Sequence, residues 1–195
     1  MRRLSVAVVV VSSLALAGLP ANASTSISIL DFRFGPASRL VAQGGTITWH
    51  NGSVGGNQHT STQDRPLGLW NTGLLNPGRT SSAVQLLAAG SYAYHCNVHP
   101  TMHGVVQVPI LVSPARGTRM TNFSIQLASA TQTGFTYDVQ RKVGSEAWKT
   151  WKTGVTSRIV KFRHAPGTIW FRSRLHETAN GATSGWSSIQ KITIS

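Results

Sequence analysis

Residues 90–108 read GSYAYHCNVHPTMHGVVQV, and the fold turns on how they are read. Tyr92, Tyr94 and Cys96 alternate with Ala93 and His95. That is the period of a β-strand, so the two aromatics and the thiol share one face and His95 takes the other. His95, His99 and His103 are four residues apart and would instead line one face of a helix. Pro100 and Gly104 argue against that helix. Val105, Val106 and Val108 then begin another strand. The stretch is therefore strand, tight loop, strand, with the only cysteine of the chain where the first strand ends.

The same pattern extends through the first half. Ser26–Leu30 and Gly45–Trp49 alternate polar and apolar residues. Turn signals separate the runs: Gly44-Gly45, Asn51-Gly52, Gly55-Gly56, Asn76-Pro77-Gly78 and Ala89-Gly90. In the second half Tyr137–Lys142, Ser157–Phe162, Thr168–Leu175 and Ile189–Ile194 read as strands between further glycines, while 122–128 is hard to place. Helical periodicity is absent. Short strands with a turn every eight to twelve residues predict an all-β chain of two successive β-sandwiches. Charge divides it at the same place. Residues 24–112 hold four Arg and two Asp, whereas 115–195 hold twelve Lys and Arg against three acids. The expected division is 24–112, a Pro/Gly-containing linker at 113–118, and 119–195.

The first 23 residues read as a secretory signal. Met1-Arg2-Arg3 is basic, Val6–Leu19 is an apolar run, and Ala21-Asn22-Ala23 is a small-x-small cleavage site. Cleavage is expected after Ala23. No later stretch reaches the ~20 apolar residues of a spanning helix, so the mature chain is expected to be exported and soluble. In an oxidising compartment cysteines usually pair. A lone cysteine crosslinks two chains, reacts, binds metal, or is a small buried hydrophobe.

The neighbours of Cys96 decide among these. His99 and Met102 follow in C-x₂-H-x₂-M spacing, and His59 sits in a Gly-rich loop upstream. A soft thiolate, two imidazoles and a thioether make up the donor set of a type 1 copper centre. Competing readings are weaker. Structural zinc prefers several cysteines. A Cys–His nucleophile needs an orienting partner and an oxyanion signature that the chain lacks. Met102 taken alone would be core filler. His95 is expected to face solvent, and His50 and His103 to lie at the surface or near the ligands.

Residues 27–108 resemble the cupredoxins, in particular the small prokaryotic blue copper proteins. The matching segments are Phe32–Pro36, Gly45–Asn51, His59-Thr60, Leu75–Gly78, Ala89–Gly104 and Val105–Val108. The resemblance implies a Greek-key sandwich, one copper per chain held by His59, Cys96, His99 and Met102, and single-electron transfer. It also implies that the Thr60 N–H donates to the thiolate and that His99 is the exposed electron port. Thr60 and Asn51 are expected beside the ligands. Gly45 departs from the Asp common at its position, which is not a ligand.

Residues 119–195 resemble a fibronectin type III domain, an immunoglobulin-like sandwich, on Tyr137–Gln140, Trp148 with Trp151, Gly167–Arg174 and Gly181–Ser187. The four tryptophans Trp148, Trp151, Trp170 and Trp186 are expected to be core and strand-pairing residues. The function expected of the whole is an exported type 1 copper electron carrier, serving redox partner proteins that could be acidic. The basic second half would attract such a partner or anionic cell-wall polymers. Nucleic acid is disfavoured by export and by the absence of a recognition element. The alternative is a non-redox copper-binding or delivery protein, or a cell-surface module on this scaffold. Enzymes built from this fold need extra copper sites, usually with His-x-His pairs. The chain has none, so it is expected not to be an enzyme.

Overall fold

The computed structural model describes residues 24–195, and the expected signal segment 1–23 lies outside the described residues. Among the described residues there are sixteen strands and no helix, so the chain is all-β.

The first half holds β1 (Ser24–Leu30), β2 (Arg33–Gly35), β3 (Ser38–Leu40), β4 (Gly45–Asn51), β5 (Thr62–Gln63), β6 (Val84–Leu86), β7 (Gly90–His95) and β8 (His103–Val108). They form two four-stranded sheets in the orders β2-β1-β4-β6 and β3-β8-β7-β5. Alternation is what pairs the sheets. Gly45, Ile47, Trp49 and Asn51 of β4 are buried while their neighbours are half-buried, and Tyr92 and Tyr94 of β7 point to the same interior. Trp49 meets Tyr94 edge-on at 5.5 Å and stacks on Trp70 at 5.4 Å, which closes the core. Gly104 of β8 lies opposite Tyr94. A Cβ there would run into the Tyr94 ring, so the position admits only glycine without moving that ring.

The second half holds β9 (Leu111–Ser113), β10 (Arg116–Gly117), β11 (Phe123–Gln126), β12 (Phe135–Val143), β13 (Lys149–Val155), β14 (Ile159–Phe162), β15 (Gly167–Glu177) and β16 (Gln190–Ile194). Its sheets run β14-β11-β9 and β10-β16-β15-β12-β13. Phe162 and Phe171 meet across them at 4.9 Å. The stretch 113–118 carries the end of β9 and all of β10, one in each sheet. The hard-to-place region 122–128 supplies β11, whose short run FSIQ buries Phe123 and Ile125.

The tryptophans of the second half are not fully buried as expected. Trp151 packs half-buried against Phe162 and Phe171. Trp148, Trp170 and Trp186 instead stack with cations. Arg172 lies over Trp148 at 4.4 Å and Trp186 at 5.0 Å, Arg174 over Trp186 at 4.7 Å, and Lys142 over Trp170 at 4.9 Å. On β15 the inward places go to Ile169, Phe171, Ser173 and Leu175, which sends Trp170, Arg172 and Arg174 outward. The delocalised guanidinium is weakly hydrated and stacks well on an indole face, so these rings are covered by charge rather than by core.

The halves share one hydrophobic cluster. Gln43 spans the join by donating to Pro109 O at 2.9 Å and Gln126 O at 3.0 Å. Ala89 N–H donates to Leu127 O, and Ser91 and Gly185 exchange backbone bonds.

Candidate metal centre

β7 delivers Cys96 to one end of the first sandwich. The following loop is closed by its own backbone: Cys96 N–H donates to Met102 O at 3.1 Å, and Met102 N–H to His99 O at 2.9 Å. This turn carries Cys96, His99 and Met102 within seven residues. His59 comes from the loop between β4 and β5 and is held by paired backbone bonds with Leu75, at 3.2 and 2.8 Å.

The structure brings His59, Cys96 and His99 together. Cys96 Sγ is 3.8 Å from Nδ1 of His59 and 3.8 Å from Nδ1 of His99, and the two ring nitrogens are 3.0 Å apart. A point in the plane of these atoms lies about 2.1 Å from all three, which is the ~2.0–2.1 Å of a metal–imidazole bond. Two imidazoles and a thiol make a donor set that fits copper. His59, Cys96 and Met102 are buried and His99 is half-buried. Met102 is placed at the closing end of the loop, fully inside.

Electrostatics favour binding at His59. Burial, and secondly the neighbouring His99, push its imidazole below its ordinary value, with Asp31 acting in the opposite sense. A neutral imidazole is the form that ligates.

Thr60 does two things here. Its backbone N–H donates to Cys96 Sγ at 3.3 Å. Its hydroxyl also accepts from Asn97 N–H at 2.8 Å, tying the His59 loop to the Cys96 loop. Asn51 is buried behind them. Its side-chain amide donates to Asn57 O at 2.9 Å and Leu75 O at 2.7 Å, and its oxygen accepts from Ser53 N–H at 3.0 Å. It fixes both segments that hold His59.

Sequence reasoning missed Phe32. Its ring stands edge-on to His99, 5.0 Å away at 90°, and it is 57% exposed. Its φ of +57° is a left-handed conformation that non-glycine residues seldom adopt. Nothing in the sequence marks this strain, because the Phe-Arg-Phe run reads as plain strand. Val98, the chain neighbour of His99, is exposed as well. His95, expected to face solvent, is half-buried and paired with Asp64 at 2.6 Å. His50 binds Thr80, and His103 is exposed.

No family model and no curated protein matches the chain. Among solved structures it is similar to an oxidized amicyanin variant, at 26% identity over 43% of this chain and 79% of that one, with a TM-score of 0.38. A reduced amicyanin variant gives 25% identity over 44% and 81%, also at 0.38. A Cu-containing nitrite reductase from Thermus scotoductus SA-01 gives 24% over 53% of this chain and 24% of that one, at 0.40. This last protein is an enzyme, and the expectation that the chain is not one does not stand.

Proposed function

We propose that the chain is an exported copper protein that carries single electrons. The reading rests on one observation: two imidazole nitrogens and one thiol sulfur converge on a point at metal-bond distance from each. His59, Cys96 and His99 would hold the metal, with the thioether of Met102 as a further, weaker donor. Copper bound there would cycle between Cu(I) and Cu(II). The chain supplies a rigid frame. β7 fixes Cys96, Asn51 and the Leu75 segment fix His59, and the Thr60 N–H stabilises charge on the sulfur. His99 is half-buried, with the exposed Phe32 ring against it and the exposed Val98 beside it in the chain, a place where a redox partner could dock dry against the ligand.

Export rests on the signal-like segment 1–23. No helix among the described residues is long and apolar enough to cross a membrane. The second half, from about residue 111, is read as a fibronectin type III-like module. Support for this comes from a three-stranded sheet facing a larger one, with the first strand divided between the two sheets. Its twelve Lys and Arg would hold the protein at anionic cell-wall polymers or an acidic partner.

The test is the visible spectrum after addition of Cu(II). Intense blue or green colour that bleaches with ascorbate and returns with oxidant supports the reading, and Cys96→Ala should abolish the colour. A colourless native protein, or an intense band that persists in Cys96→Ala, would refute it. Colour that disappears because copper leaves during reduction would instead favour a delivery protein.

A further inference from the structure

On the outer face of the β7–β8 pair, His95 and His103 lie directly opposite one another. Side chains so placed on antiparallel strands share a face, with Cβ atoms about 4.5–5.5 Å apart. Their ring centres are 6.4 Å apart. A metal bound at about 2.1 Å from a ring nitrogen lies about 3.2 Å from that ring's centre. The observed spacing is therefore the span of two such bonds laid end to end. A bent geometry needs the exposed His103 ring to swing inward by about one to two ångströms.

His95 is already held in the manner of a ligand. Its Nδ1 is 2.6 Å from the Asp64 carboxylate. Metal-ligating histidines commonly give one ring N–H to a carboxylate, which fixes the tautomer and leaves the other nitrogen free to bind. Here that free donor is Nε2. Asp64, His95 and His103 line one open cleft of about 860 Å³, with Asn71 and Asn97 on its wall, so an ion and its remaining waters have room.

We propose that His95 and His103 form a second, surface-exposed site for a divalent transition metal, with Asp64 orienting His95. Two imidazoles without a thiolate suit Cu(II), Ni(II) and Zn(II), and Cu(II) binds tightest in that series. The site is separate from the buried one and does not rest on it. It stands one peptide unit away, because His95 and Cys96 are consecutive and point to opposite faces of the same strand end.

The probe is Cu(II) alone, titrated into the full mature chain and followed by electron paramagnetic resonance. The native protein should take two equivalents. The second should give an ordinary Cu(II) spectrum with nitrogen coupling, unlike that of a thiolate-bound ion. Asp64→Asn should weaken the second equivalent by about 10–100-fold, the usual effect of removing an outer partner of a ligating histidine. His103→Ala should weaken it by more. Both positions are at the surface, so neither change should unfold the chain. In Cys96→Ala the His103-dependent equivalent should persist, which separates failure of this site from failure of the buried one. A native protein that takes only one equivalent would overturn the proposal. So would a second equivalent that binds His103→Ala or Asp64→Asn as tightly as native.

Discussion

Asn51 is the residue on which the His59 loop depends, and removing its side chain gives the sharpest test of that frame. Asn51 is fully buried at the end of β4, and all three of its hydrogen bonds go to backbone. In Asn51→Ala the three partners fare differently. Leu75 O keeps the His59 N–H at 3.2 Å. Asn57 is half-buried, and its carbonyl can take a water. Ser53 N–H is buried and is left without its acceptor, at about 1–3 kcal/mol. With about 0.5–1.5 kcal/mol for each of the other two bonds, the loss centres at about 4 kcal/mol. For a chain of this size that is a fall of roughly 8–16 °C in melting temperature. The assay is thermal and urea unfolding of the metal-free protein, so that bound metal cannot mask the loss. Asn51→Asp supplies the sign. It keeps the acceptor for Ser53 but turns a carboxylate oxygen toward the two carbonyls, so at neutral pH it should be no better than the alanine variant. If the Asn51→Asp variant melted with the native chain, or if Asn51→Ala lost less than about 1 kcal/mol, the role assigned to Asn51 would be wrong.

Two other changes probe the same end of the molecule. Phe32→Gly should release left-handed strain of about 1–2 kcal/mol while giving up little burial. The melting temperature should hold or rise, yet bound copper should pass faster to a chelator because His99 loses its cover. A lower melting temperature with unchanged release would refute this. For His59, the folded-state imidazole is lowered from its ordinary 6.5, so below that pH the unfolded chain binds more protons than the folded one. The stability of the metal-free protein should therefore fall as pH drops from about 6.5, and His59→Gln should flatten that slope. Equal stability of the native chain by urea unfolding at pH 7.5 and 5.5 would count against it.

Elements whose burial follows a two-residue period were legible in the sequence. Gly45–Asn51, Gly90–His95 and Gly167–Glu177 bury alternate residues, and each was readable as a strand. The convergence of His59, Cys96 and His99 was readable too, because two of the donors share one short loop and the chemistry restricts the third. What escaped was set by contacts distant in sequence. β13 buries none of its residues fully, so KTWKTGV carries no period to detect. Trp148, Trp170 and Trp186 look like core by composition. Their actual cover is three cations brought alongside by the pairing of Lys142 with Trp170 and of Gln140 with Arg172. Gly104 reads as a turn residue, but its constraint is the Tyr94 ring on the neighbouring strand.

The placement of the second half bears on what its charge can do. Its contacts with the first half gather at Gln43, Leu87–Ser91 and Pro109. Ser91 stands at the start of β7, and Cys96 follows its end. Five residues of extended strand put about 17 Å between the join and the thiol. The Debye length at physiological salt is about 8 Å, so cations of the second half act on the metal end only through a screened field. Phe32 against the His99 ring and Val98 beside it in the chain are exposed and apolar, so they would seat a partner rather than steer it. A basic module at the opposite end is better placed to hold a polyanion while the metal end remains free. On this geometry, raising the salt concentration should weaken attachment to an anionic polymer far more than it slows electron exchange with a small neutral reagent. Equal salt dependence of the two would mean that the charges of the second half reach the metal end after all.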